Sequence, residues 1–196
     1  MTDYDDIKTF KTEDGRVFSV QRDPCAPCPI DDRDGSVLLY IFASKLCSPC
    51  ELPGDIHDTL IHIADTDLGA DKPDWFDDAS VECKVDYLED TCAVQTVYYM
   101  EHSDFRYSTS SFCDPWDSGP VGVIWTPKEF AMDKDLERTC QEALVEMYDM
   151  WAHGYAWVVF ETEDVYDESI SLIYSDDYDL EKELEGLLGS PCESIG

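Results

Sequence analysis

Apolar and polar positions recur along most of the chain with periods that divide it into strands and helices. Residues 7–12 and 17–21 are β-prone runs flanking Asp14-Gly15, a dipeptide suited to a tight turn, and predict a hairpin. Residues 36–42 (SVLLYIF) form a short apolar run and predict a buried strand. Residues 53–78 are acidic and turn-rich and predict a loop with a short helix near 58–63; residues 80–90 predict a second helix. Residues 93–100 and 105–111 bracket a turn at 101–104, a second hairpin, and residues 121–126 (VGVIWT) predict a further strand. Pro127 suits the first position of a helix, Glu129 its first turn and Gly154 its end. Within that span Leu136, Cys140, Leu144, Met147 and Trp151 recur at spacings of three and four and predict one apolar stripe. Residues 155–160 and 169–174 read as two more strands joined by an acidic turn at 161–168, and residues 180–188 as a short terminal helix. The expected fold is α+β: a largely antiparallel sheet and one long amphipathic helix, in a single domain over residues 1–196. Trp116, Trp125, Trp151 and Trp157 read as core.

The cysteines add candidate chemistry. Cys25-Ala26-Pro27-Cys28 and Cys47-Ser48-Pro49-Cys50 form a C-x2-C-x18-C-x2-C pattern. A two-residue gap lets both thiolates of one turn reach one metal, and the second pair completes a tetrahedron. The expectation is a closed, structural zinc on Cys25, Cys28, Cys47 and Cys50, a small ribbon-like knuckle pair at residues 25–50. Free thiols and disulfides remain alternative states of these pairs. The other five, Cys83, Cys92, Cys113, Cys140 and Cys192, have no ligand spacing. An odd total of nine Cys, with no basic and apolar leader at the start, fits a reducing cytoplasm.

Other groups invite catalytic readings. Asp114, Asp117, Ser118 and His102 could be drawn into an acid–base or nucleophile set, and Cys113 could pair with His102. Yet Ser118 lacks the G-x-S-x-G elbow that exposes a nucleophile, and Asp117-Ser118-Gly119-Pro120 is ordinary turn chemistry. His57 and His62 are five apart, not at the helical ligand spacing of four, and His153 sits at a helix end. No catalytic site is expected.

The segment from Glu101-His102-Ser103 through Cys113-Asp114-Pro115-Trp116-Asp117-Ser118-Gly119-Pro120-Val121-Gly122-Val123-Ile124-Trp125 to Lys128-Glu129 carries a pattern. It resembles a group of bacteriophage and mobile-element proteins with a hairpin, a WDSG-x-VG-x-I strand and a KE helix start. Glu146, Tyr148, Gly154 and Tyr155 fit the same group, as do Asp34-Gly35-Ser36-Val37 and Leu52-Pro53-Gly54-Asp55 more loosely. The group carries no activity to transfer. The resemblance implies a phage or mobile-element setting, in which small acidic proteins serve as counter-defence factors.

Charge sharpens this. Lys and Arg number 13 against 45 Asp and Glu, a net charge of −32 over 196 residues. Such a chain does not bind nucleic acid directly over a broad surface, nor an anionic membrane. With 43% hydrophobic and 12% aromatic residues it is not a disordered acidic tail either. At one charge per roughly 1.7 Å of duplex, 32 charges match roughly 54 Å of DNA, on a molecule about 40 Å across. The acids gather at Asp31, Asp32 and Asp34; at Asp55, Asp58, Asp65, Asp67, Asp71, Asp74, Asp77 and Asp78; at Glu161, Glu163, Asp164, Asp167 and Glu168; and at Asp176, Asp177 and Asp179 before the acidic last helix. The expectation is a cytoplasmic protein whose acidic residues imitate a phosphate backbone for a nucleic-acid-handling host defence protein, such as a restriction or CRISPR effector. A zinc-bearing interaction module without mimicry, acidity suited to high salt, and incidental acidity are the alternatives.

Overall fold

A computed structural model describes residues 7–30, 35–43, 45–102, 104–114, 116–162 and 169–195. The elements in chain order are β1 (Ile7–Thr12), β2 (Val17–Arg22), β3 (Leu38–Ile41), α1 (Ile56–Asp67), a 3-10 turn (Gly69–Asp71), α2 (Val81–Thr91), β4 (Val94–Glu101), β5 (Phe105–Ser108), β6 (Ser118–Trp125), α3 (Lys134–Ala152), β7 (Ala156–Glu161), β8 (Ser169–Tyr174), α4 (Leu180–Leu188) and β9 (Cys192–Ser194). The chain is a mixed α+β protein with four helices and two antiparallel sheets among the described residues. It forms two compact units: a terminal unit of Met1–Pro27 with Met150–Gly196, and a central unit of Cys28–Asp149.

The terminal unit is a five-stranded sheet in the order β8-β7-β2-β1-β9. The first hairpin turns at Gly15, whose φ of 94° a side chain would resist. Period-two alternation puts Phe10, Phe18, Val20, Trp157 and Val159 on one face, where Leu180 and Leu184 of α4 join them in the core. Gly189, left-handed at φ 63°, ends α4 by donating its N–H to Glu185 O. Strand β9 is beyond the sequence reading: three residues pair with β1 from Phe10 to Thr12.

The central unit is a sheet in the order β3-β6-β4-β5 with helices on both faces. On one face Thr96 of β4 bonds Glu89 of α2, and Trp125 of β6 meets His62 of α1 edge-to-face at 6.0 Å. On the other, Gln95 donates to Gln141 of α3, and Tyr107 of β5 packs against Tyr148. Strands β3 and β6 approach so closely that a Cβ on Gly122 would lie 2.1 Å from the Tyr40 carbonyl oxygen. That contact explains the glycine in the VG pair.

Four expectations are corrected. The helix does not start at Pro127; Phe130 and Ala131 donate back to Pro127 O in a closed turn. It starts at Lys134, because the Asp133 carboxylate accepts from the N–H groups of Asp135 and Leu136 and acts as the cap. The buried face of α3 is Gln141, Val145, Tyr148 and Asp149, whereas Leu136 and Cys140 are exposed and Leu144, Met147 and Trp151 only half-buried. Gln141 Nε2 donates to Ala93 O and Thr126 Oγ1, and the Asp149 carboxylate accepts from Tyr107 N–H, so hydrogen bonds to the sheet select the face. Trp125 and Trp157 are buried and Trp151 is half-buried, but Trp116 is 91% exposed and is not core. The predicted helix near 58–63 is longer, running from the Asp55 cap, whose carboxylate accepts from Asp58 N–H, to Asp67.

Candidate functional site: an acidic helical layer

Helices α1 and α2 and the chain between them hold the largest single group of the predicted acidic residues. Asp55, Asp58, Asp65, Asp71, Asp74, Asp77 and Asp78 are all exposed. Between Glu51 and Thr91 the only lysines or arginines are Lys72 and Lys84. Lys84 is turned inward and Lys72 is confined to two carboxylates. Lys72 Nζ bridges Asp65 at 2.5 Å and Asp77 at 2.8 Å, with only 16% of its side chain exposed. The hydrogen bond to Asp65, then that to Asp77, holds the Lys72 pKa above its ordinary value. Lys84 is fully buried. Its ammonium donates to Asp77 O at 2.9 Å, to Ala79 O at 3.0 Å and toward His57 Nδ1 at 3.1 Å. A buried ammonium is tolerable only when its donors are so occupied. The layer therefore presents Asp55, Asp58, Asp71, Asp74 and Asp78 without a bonded lysine or arginine, while Lys72 neutralises Asp65 and Asp77.

Asp67 is the exception and a correction. It is buried at 6% exposure. Its carboxylate accepts from Trp125 Nε1–H and from Lys128 N–H, both at 2.9 Å. Lying three and four residues after Ala64 and Ile63 on the inner stripe of α1, it ties the helix end to β6 instead of facing a partner.

The other acidic residues belong to the terminal unit. Glu161 is half-buried at the end of β7. Asp176 accepts from the N–H groups of Tyr178 and Asp179 and closes the turn into α4. Asp179 is exposed at the cap position of α4. Asp177 is neutralised in place by Lys8 at 2.5 Å and Arg22 at 2.9 Å, both of which lie over the Trp157 ring. The Lys8 hydrogen bond, then the two positive charges, lowers the Asp177 pKa despite partial burial. Glu163, Asp164, Asp167 and Glu168, like Asp31, Asp32 and Asp34, lie outside the described residues.

The WDSG segment is a polar turn. The Asp114 carboxylate accepts from Trp116 and Asp117 N–H groups, and Ser118 Oγ donates to Asp114 O. His102 Nδ1 and Asp117 Oδ2 are 2.8 Å apart on an exposed surface, and Cys113 is exposed with φ 56°. Of the paired cysteines, Cys25 belongs to the terminal unit and Cys28, Cys47 and Cys50 to the central one. Cys25 and Cys47 are exposed, Cys28 is half-buried and Cys50 is buried, its Sγ accepting from Leu39 N–H at 3.4 Å. Among the described residues no group of three or more His, Cys, Asp or Glu side chains is placed to hold a metal ion. No helix among them is long and apolar enough to cross a membrane.

One feature of the central unit escaped the sequence reading. A groove of about 380 Å³ lies between the first turns of α1 and α2 and strands β4 and β6. Its walls are largely apolar, including Phe42, Ile56, Val85 and Val121, and its charged lining is Glu82 and Asp86. These two acids stand at i, i+4 on α2, a spacing the sequence displays, but nothing in it shows a cavity beside them. Comparison with protein-family models, with curated proteins and with solved structures finds no match.

Proposed function

We propose that the protein is a phage-type counter-defence inhibitor. Its acidic helical layer stands in for a nucleic-acid backbone and occupies the DNA- or RNA-binding cleft of a host enzyme such as a restriction or CRISPR effector. The observation that carries this reading is that Lys84 is buried and Lys72 is confined to Asp65 and Asp77. This leaves Asp55, Asp58, Asp71, Asp74 and Asp78 displayed without a neutralising partner among the described residues. A surface that was acidic only for solubility would gain nothing from confining its two cations. Association would be steered by long-range charge and weakened by salt, because the screening length falls from about 10 Å at 0.1 M to about 3 Å at 1 M. The resemblance of the WDSG segment to phage and mobile-element proteins supports the same setting.

The test is capture from host lysate on the immobilised protein at about 50 mM and about 500 mM salt. Nucleic-acid-binding enzymes are expected to be retained at low salt and released at high salt. Changing Asp58, Asp71, Asp74 and Asp78 together to Asn should abolish that retention. Capture of no DNA- or RNA-binding protein at low salt, or equal capture by the Asn variant, overturns the reading.

A second reading keeps a structural zinc on the two Cys-x-x-Cys pairs, in an interaction module without mimicry. In its favour, β3 holds Cys50 from both sides: Leu39 N–H donates to its sulfur, and Cys50 N–H donates to Leu39 O at 3.3 Å. An N–H donated to a sulfur is the kind of outer-shell contact that orients a metal ligand. Metal analysis of the purified protein decides it: about one zinc per chain, lost in Cys47→Ser, is required.

A further inference from the structure

The groove beside α2 offers more than charge. The helical layer buries Trp125 on its face of the sheet, while Val121, Val123 and Tyr98 line an open cavity of about 380 Å³. That exceeds the roughly 300 Å³ at which pockets begin to enclose a ligand group. Phe42 and Tyr98 supply aromatic surfaces, and Ile56, Val85 and Val121 supply aliphatic ones. Glu82 and Asp86 make no hydrogen bond or ion pair among the described residues, and no Lys, Arg or His lines the cavity. An apolar floor with two unneutralised carboxylates selects an apolar group that carries positive charge beside it. Anionic and neutral polar occupants are disfavoured.

Proteins that hold single-stranded nucleic acid present such a group. They combine Lys or Arg for the phosphates with aromatic side chains on which bases stack. We propose that the groove is the docking site for an aromatic side chain of the partner protein, flanked by lysine or arginine, with Glu82 and Asp86 taking the flanking cations. The carboxylates then play the phosphate part and the apolar cavity the base part. This deepens the mimicry reading and rests on it for the identity of the partner. It also supplies a component of binding that salt does not screen, since burial of an aromatic ring is not electrostatic.

Two synthetic peptides of equal length and equal lysine content test it, one carrying phenylalanines between the lysines and the other serines. Each is titrated into the full-length protein at about 50 mM and about 500 mM salt, with methyl and amide resonances followed. The phenylalanine peptide should shift Ile56, Val85 and Val121 and bind at least about 10-fold more tightly than the serine peptide at either salt concentration. Raising the salt should weaken the two by a similar factor, since both carry the same lysines. Glu82→Gln with Asp86→Asn should weaken the phenylalanine peptide by about 10-fold more than Asp71→Asn with Asp74→Asn, which removes the same net charge elsewhere in the layer. Shifts that map away from the groove, equal affinity of the two peptides at high salt, or equal effects of the two double variants overturn the proposal. If the peptide seats in the groove but lysate yields no nucleic-acid enzyme, mimicry fails and the groove stands. If such enzymes are captured but the peptide shifts other residues, the groove fails and mimicry stands.

Discussion

Lys84 and Asp67 are charged residues in positions that the helix period reserves for apolar ones. Lys84 falls three residues after Val81 and four before Leu88, and Asp67 four after Ile63. Both were legible as anomalies. Counting acids segment by segment hides them, because composition does not distinguish the faces of a helix. In the fold each one satisfies groups that would otherwise be stranded: Lys84 takes the carbonyls of Asp77 and Ala79, and Asp67 takes the indole of Trp125. Replacing Lys84 by Met keeps the apolar stem and leaves those carbonyls without a donor. Each buried group left unsatisfied costs about 1–3 kcal/mol, so Lys84→Met, which strands two, should lower stability by about 2–6 kcal/mol. The urea midpoint followed by circular dichroism reads this; an unchanged midpoint would mean that Lys84 does not hold the α1–α2 connection. The groove residues were less legible. Glu82 and Asp86 look like any exposed pair on a helix, and only the packing of α2 beside β4 and β6 gives them an apolar neighbour.

At the scale of elements, the sequence reading succeeded where local signals and burial agree. The first hairpin is set by period-two alternation around Asp14-Gly15, and its register, Ile7 opposite Gln21, follows from that turn. Helix α2 begins where Ser80 accepts from Cys83 N–H, and α4 ends at a glycine. The reading failed where a distant partner decides. Pro127 resembles a helix start, but Asp133 offers the stronger cap. The apolar stripe on α3 points one position away from the buried face, because Gln141 and Asp149 are held by backbone groups of the sheet. Strand β9 is too short to show alternation and exists only through its pairing with β1. Helix α1 extends past its apolar centre because both ends are secured by carboxylates, Asp55 as cap and Asp67 as anchor.

For the whole molecule, a net charge of −32 opposes compaction, so counterions should stabilise the fold. Raising salt from about 0.05 to about 0.5 M is expected to raise Tm at neutral pH, measured by scanning calorimetry. Acid acts in two opposing ways. As pH falls from 7 toward about 5, the exposed carboxylates begin to take up protons and self-repulsion relaxes, which stabilises. The ion-paired groups have the other sign. Asp177, lowered chiefly by Lys8, binds its proton less readily folded than unfolded. Its contribution is therefore present above the unfolded carboxylate pKa of about 3.9 and is lost as pH falls through the lower folded value. Glu101, lowered by Lys45, behaves likewise. Tm should thus rise on mild acidification and fall below about pH 4. A Tm that declines steadily from pH 7 downward would show that the ion pairs outweigh self-repulsion throughout.

The placement of the two lysines has a consequence for proteases. Trypsin cuts after lysine or arginine, and from Lys45 to Arg106 its only targets are Lys72 and Lys84. Lys72 precedes Pro73, which blocks cleavage, and Lys84 is buried. The folded acidic layer is thus an uncuttable stretch for that enzyme, and cleavage after Lys84 becomes a direct count of how often α2 swings away from its neighbours.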